Sequence, residues 1–178
     1  MTDFNTIEIN HTDIPQNILN IDARTRTNPF AWIGQFSPQF AEAMLSSYAG
    51  SNDYVIDTFA GSGTTLCECS GLGLECYGTE INAPAFHMAK IYEAANLDES
   101  ARRSVIDSVD SFILFLSMNG GNILGGIISE IEAHKYTFYS YALSALVIMM
   151  DIFSNEITQE LLRGKWEKLA GIISSVPY

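Results

Sequence analysis

Two carboxylates and a pair of glycines hold most of the chemistry that can be read in this sequence. Asp57 follows the apolar run Tyr54-Val55-Ile56, and Glu80 closes the run Leu74 to Thr79, 23 positions after Asp57. Runs of this length and composition read as buried strands. Each acid therefore stands at a strand's C-terminal end, where open α/β sheets bind ligands. Between the runs lies Thr58-Phe59-Ala60-Gly61-Ser62-Gly63-Thr64-Thr65. Gly61 and Gly63 permit positive φ and let a ligand come close to the backbone. A helix opening at Thr64 would offer its N–H groups to a carboxylate or phosphate. A carboxylate at Glu80 can accept hydrogen bonds from both hydroxyls of a ribose.

A glycine turn alone leaves several ligands open. A P-loop needs Lys after its last glycine, and here Thr64 follows Gly63. A dinucleotide turn has a third glycine where this chain has Leu66. S-adenosylmethionine is the third alternative. Charge bears on the choice. The 178 residues hold 9 Lys and Arg against 21 Asp and Glu, a net charge of -12, and no Lys or Arg lies between Thr27 and Ala89. Such a surface repels phosphate backbones and anionic membranes, so any nucleic-acid function would need its basic surface from another polypeptide.

The length suits one domain with a helical appendage. Three regions are expected: an irregular extension over 1–30, an α/β part over 31–97 and a helical region over 98–178. Ile7-Glu8-Ile9 reads as a short strand. Ser37-Pro38 reads as a helix N-cap with proline at the first position, and Phe40, Met44, Leu45 and Tyr48 follow on one face. A second helix runs from Thr64 to Ser70 and a third over 85–95. Strands separated by a helix imply a parallel pair in a layered sheet. Helices are then expected over 104–118, 127–135, 138–153 and 158–175. The uncharged stretches 111–129 and 136–150 read as buried helices, because glycines interrupt the first and the second is too short to span a bilayer. Cys67, Cys69 and Cys76, with no secretory leader in view, read as reduced cytoplasmic thiols. The Cys67/Cys69 spacing puts the two on different sides of a helix, so no metal is expected.

The segment Asp57-Thr-Phe59-Ala-Gly61-Ser-Gly63-Thr-Thr65, followed by Gly78-Thr-Glu80-Ile-Asn82, resembles the cofactor half of DNA amino-methyltransferases, which methylate N4 of cytosine or N6 of adenine. Two departures stand out: Thr58 replaces the usual proline, and Asn82-Ala83-Pro84 displaces the next proline by one. Upstream, Trp32-Ile-Gly34-Gln35-Phe36-Ser37-Pro38 resembles the family's segment before the glycine motif. The resemblance implies a partial Rossmann-like methyltransferase sheet and S-adenosylmethionine as cofactor. It assigns the backbone of Phe59, Ala60, Gly61, Ser62 and Gly63 to the methionine moiety, with Asp57 near its ammonium group. Glu80 takes the ribose, Ile81 packs on adenine and Asn82 completes the segment. Phe36 and Ser37 close the methionine side, and Thr64 and Thr65 cap the helix or reach the carboxylate.

The same resemblance exposes a gap. The family's catalytic Ser/Asp-Pro-Pro-Tyr tetrapeptide, whose ring stacks on the flipped base, is absent; Ser175-Val-Pro-Tyr178 is the nearest match. No catalytic residue is therefore assigned. Two strands with open edges leave a sheet unfinished. The expectation is a split or truncated methyltransferase, inactive alone, with a second polypeptide carrying the catalytic loop and target recognition. One alternative is an inactive scaffold docking through its uncharged helices; another is a methyltransferase acting on RNA or a small molecule.

Overall fold

The computed structural model describes residues 13–19, 28–30, 32–151 and 156–177. The strand expected at Ile7 and the tyrosine at 178 lie outside the described residues. A four-residue helix, α1 (Gln16–Leu19), touches α2 (Pro38–Tyr48). Ser37 caps α2, its hydroxyl accepting from the Phe40 amide at 3.3 Å. Pro38 costs the helix nothing there, since the first-turn N–H groups have no helical partner. Asp53 accepts from the Gly50 amide at 2.8 Å and turns the chain into β1 (Tyr54–Asp57). The glycine turn leads to α3 (Thr64–Leu72), which Gly73 ends in the left-handed conformation. β2 (Glu75–Gly78) then pairs parallel with β1, Tyr54 opposite Glu75 and Asp57 opposite Gly78.

The rest is helical. α4 (Ala83–Ala89) passes into a tighter 3₁₀ segment over Lys90–Asn96, rather than running as the single α-helix expected over 85–95. α5 (Glu99–Asn119), α6 (Ile123–Ala133), α7 (Phe138–Met150) and α8 (Gln159–Ser175) follow. α5 starts earlier than expected because Asp98 caps it, accepting from the Ala101 amide at 2.7 Å. α6 starts early for the same reason, with Asn122 capping the Gly125 amide at 3.0 Å. Gly125 and Gly126 thus lie inside a helix instead of breaking one. A methyl group on Gly126 would sit 2.7 Å from a Leu116 methyl, so that glycine serves the close approach of α5 and α6. α7 ends at Met150, where Asp151 turns left-handed.

α2 packs on α3, and α3 packs on β2. The strands themselves correct the expectation of burial. Val55 and Cys76 are half-buried, whereas Tyr54, Ile56 and Tyr77, which alternate to the other side, are 55%, 64% and 57% exposed. The core lies elsewhere. It joins Phe30, Met88, Ile91 and Tyr92 to α5, α7 and α8, with Leu143, Leu146, Leu162, Leu169 and Ile173 fully buried. Ala142 to Leu146 are buried on every side. α7 is therefore the centre of the helical region and not a docking face. No described helix is long and apolar enough to cross a membrane.

Candidate functional site

The site is built where β1 and β2 end. The strand pairing continues past its regular part: the Thr79 amide donates to Asp57 O at 2.9 Å and the Ala60 amide to Thr79 O at 3.0 Å. Thr79 Oγ1 donates to Thr58 O at 2.9 Å. These bonds bind the two strand exits side by side. Asp57 Oδ1 accepts from the Phe59 amide at 3.0 Å and bends the chain away from the strand. The Gly63 amide closes a tight turn onto Ala60 O at 2.8 Å, with Gly61 and Gly63 at φ of 54° and 92°. A methyl group on Gly63 would stand 2.7 Å from the Tyr92 ring and 3.0 Å from Ala89 Cα. Glycine is required at 63 on both counts, conformation and space.

Glu80 joins the two halves. Its Oε2 accepts from the Gly61 amide at 2.8 Å, and its Oε1 from the Asn82 amide at 2.7 Å. The carboxylate of β2's exit thus holds the glycine turn of β1's exit, 19 positions earlier in the chain. Asn82 caps α4, accepting from the Ala85 amide at 3.2 Å. Pro84 falls in the first turn of that helix, so its displacement by one position is structurally harmless.

The expected cofactor residues around this mouth differ in burial. Phe59 (86% exposed), Ile81 and Phe36 are open to solvent at its rim. Asp57, Gly61, Thr65 and Glu80 are half-buried, and Ala60, Ser62, Gly63 and Thr64 are buried. The two hydroxyls are turned inward: Ser62 Oγ donates to Gln35 Oε1 at 2.6 Å and Thr64 Oγ1 to Asn28 Oδ1 at 3.0 Å. Thr64 is the first residue of α3 and not its cap; Gly63 holds the cap position, and no side chain caps that helix. Ser37 caps α2, as its spacing suggested.

Sequence reasoning missed Asn28, Gln35 and Tyr92. Tyr92 fills the space that Gly63 leaves, and its burial holds the phenol well above its usual pKa. Nothing in the spacing of Asn28 and Gln35 marks them, since each acts on a residue 27 or more positions away. Behind the sheet, the Cys69 thiol lies against Cys76. The hydrogen bond between them, aided by burial, raises the pKa of Cys69, and the same bond lowers that of Cys76 against the opposing effect of burial, so Cys69 stays a thiol. Among the described residues no group of three or more His, Cys, Asp and Glu is placed to hold a metal.

The mouth is acidic, apolar at its rim and without a lysine or arginine from its own segment. It suits a ligand carrying positive charge and an aromatic body better than a phosphate. Residues 7–91, just under half of the chain, match the DNA methylase family. A stretch of 49 residues is 41% identical to the Type II methyltransferase M.MjaII of Methanocaldococcus jannaschii. That stretch is 28% of this chain and 9% of the relative's length. No solved structure matches. Over residues 7–91, this chain is similar to the DNA methylase family.

Proposed function

We propose that the chain provides the S-adenosylmethionine-binding part of an enzyme that methylates an exocyclic amino group in DNA, N4 of cytosine or N6 of adenine. The observation that carries this reading is the bond from the Gly61 amide to Glu80. It brings the glycine turn, both strand-end carboxylates and the apolar rim of Phe59 and Ile81 into one mouth. The residues fit the cofactor. Asp57 offers a carboxylate to its ammonium group, and the turn over 59–63 lets its methionine end approach the backbone. Glu80 keeps a lone pair on each oxygen for the ribose hydroxyls, while Ile81 packs on the adenine. Bound there, the cofactor supplies a methyl group on a sulfonium; this chain's part is to bind, orient and shield it.

The strands belong, in this reading, to a Rossmann-like sheet that a second polypeptide completes, bringing the Ser/Asp-Pro-Pro-Tyr loop and the target-recognition surface. Its supports are the exposed Tyr54, Ile56 and Tyr77, since parallel sheets are otherwise covered on both faces. DNA is engaged through that partner, and the complex works in the cytoplasm as a modification enzyme.

The test is cofactor binding by calorimetry and by thermal shift, followed by methylation with the partner added. Asp57→Asn keeps an acceptor for the Phe59 amide while removing the charge. It should weaken binding by about tenfold, as expected for losing a charge-assisted bond. A binding constant unchanged in Asp57→Asn and Glu80→Gln would sink the site. The scaffold reading has one observation in its favour, that both Glu80 oxygens already accept backbone N–H groups. It predicts no thermal shift at any cofactor concentration.

A further inference from the structure

The segment before α2 is held against the glycine turn by two primary amides with the same arrangement. Gln35 Nε2 donates to Phe30 O at 3.0 Å, while its Oε1 accepts from Ser62 at 2.6 Å. Asn28 Nδ2 donates to Phe36 O at 2.8 Å, while its Oδ1 accepts from Thr64 at 3.0 Å. A backbone carbonyl can only accept, so it fixes which end of each amide faces it. The other end, an oxygen, must then meet a hydroxyl donor. The two hydroxyls flank Gly63. The bond from Gln35 to Phe30 O also closes the loop 30–35, and Trp32 lies within it. The Trp32 ring edge sits 3.7 Å from where a Gly61 side chain would begin.

We propose that Gln35 and Asn28 are positioning residues: together they strap residues 28–30 and 32–37 onto the glycine turn and hold Trp32 over Gly61, shaping the methionine end of the mouth. Neither touches the cofactor. Ser62 and Thr64 are the anchors of the strap, and their hydroxyls serve it instead of the ligand. The consequence for cofactor affinity rests on the function proposed above; the strap itself does not.

Acrylamide quenching reads the strap directly, because the chain has two tryptophans and Trp166 is 2% exposed. Gln35→Met keeps the length of the side chain and removes both bonds. The quenching constant of the accessible component should rise about twofold in Gln35→Met and in Asn28→Leu. Far-UV circular dichroism and the buried Trp166 component should stay unchanged. Affinity for S-adenosylmethionine should fall about fivefold, the effect of one net hydrogen bond. In a double-mutant cycle, Ser62→Ala should add little to Gln35→Met, since both remove the same bond. Unchanged quenching in both amide variants would overturn the strap. Raised quenching with unchanged affinity would overturn its role in cofactor positioning. A wild-type chain that fails to bind the cofactor would defeat that role together with the proposed function, while the quenching would still decide the strap.

Discussion

At the scale of single residues, the mouth depends on one glycine whose neighbours leave no room. Gly63 combines a φ of 92° with the Tyr92 ring and the α4 backbone at its Cα. Gly63→Ala must strain the backbone and push Tyr92, at a cost of about 2–4 kcal/mol in urea unfolding. A loss below about 0.5 kcal/mol would mean that the turn is looser than described. His87 makes a different prediction. Its ring packs between Phe86 and Tyr141, with Lys90 Nζ 4.7 Å from the Tyr141 ring centre. Its Nδ1 is buried without a hydrogen-bond partner. Burial lowers its pKa below the usual 6.5. The unfolded chain then binds a proton at a pH where the folded chain does not, so stability falls as pH drops through 6.5. Wild type should lose more melting temperature between pH 7.5 and 5.5 than His87→Phe does. Parallel curves would show that His87 titrates normally.

At the scale of elements, caps and glycines decide what was legible. The spacing around Ser37-Pro38 and the run Tyr54 to Thr65 announced α2, β1 and the turn because each signal is local. The starts of α5 and α6 were misread because Asp98 and Asn122 act as caps, and Gly125-Gly126 looked like a break. Gly125 makes room for the capping side chain of Asn122 and Gly126 for Leu116 of α5, and the second of these, a contact between helices, leaves no trace in local spacing. The inward turn of Ser62 and Thr64 was illegible for the same reason, as their partners lie on a distant segment. Arg102 is the clearest long-range element. It is buried at the start of α5, its Nε donating to Leu97 O at 3.0 Å and its Nη1 to Val176 O and, at 3.4 Å, to Ile173 O. The guanidinium thus satisfies carbonyls at the end of α8, where a cation is favoured. Arg102→Met should cost about 3 kcal/mol, since it leaves buried acceptors unpaired. Chemical denaturation checks it, and a change under 0.5 kcal/mol would assign the join of α5 and α8 to packing alone.

At the scale of the whole molecule, the helical region buries its core, whereas the strand pair leaves one face exposed. α7 is enclosed by α4, α5, α6 and α8, and the core runs unbroken from Phe30 to Val176. The strand pair packs on α3 through β2, and its other face, with Tyr54, Ile56 and Tyr77, is in water. Burying three such side chains is worth roughly 1.5–3 kcal/mol each, a gain open to any layer that covers them. Asp53 and Glu75, both exposed, stand beside that face, and the chain is strongly acidic, so a covering layer with lysines and arginines at its margin would be drawn to it. This separates two properties that usually change together. Ile56→Lys and Tyr77→Lys alter exposed positions, and the isolated chain should keep its stability within about 0.5 kcal/mol. In the two-chain methyltransferase proposed above, the same changes would bury unpaired charge. Methylation should then fall by at least an order of magnitude, with the cofactor affinity of the isolated chain unchanged. Loss of stability in the isolated chain would mean that the face is already covered by this chain itself. Full methylation by the double variant would overturn the proposal that a partner covers this face.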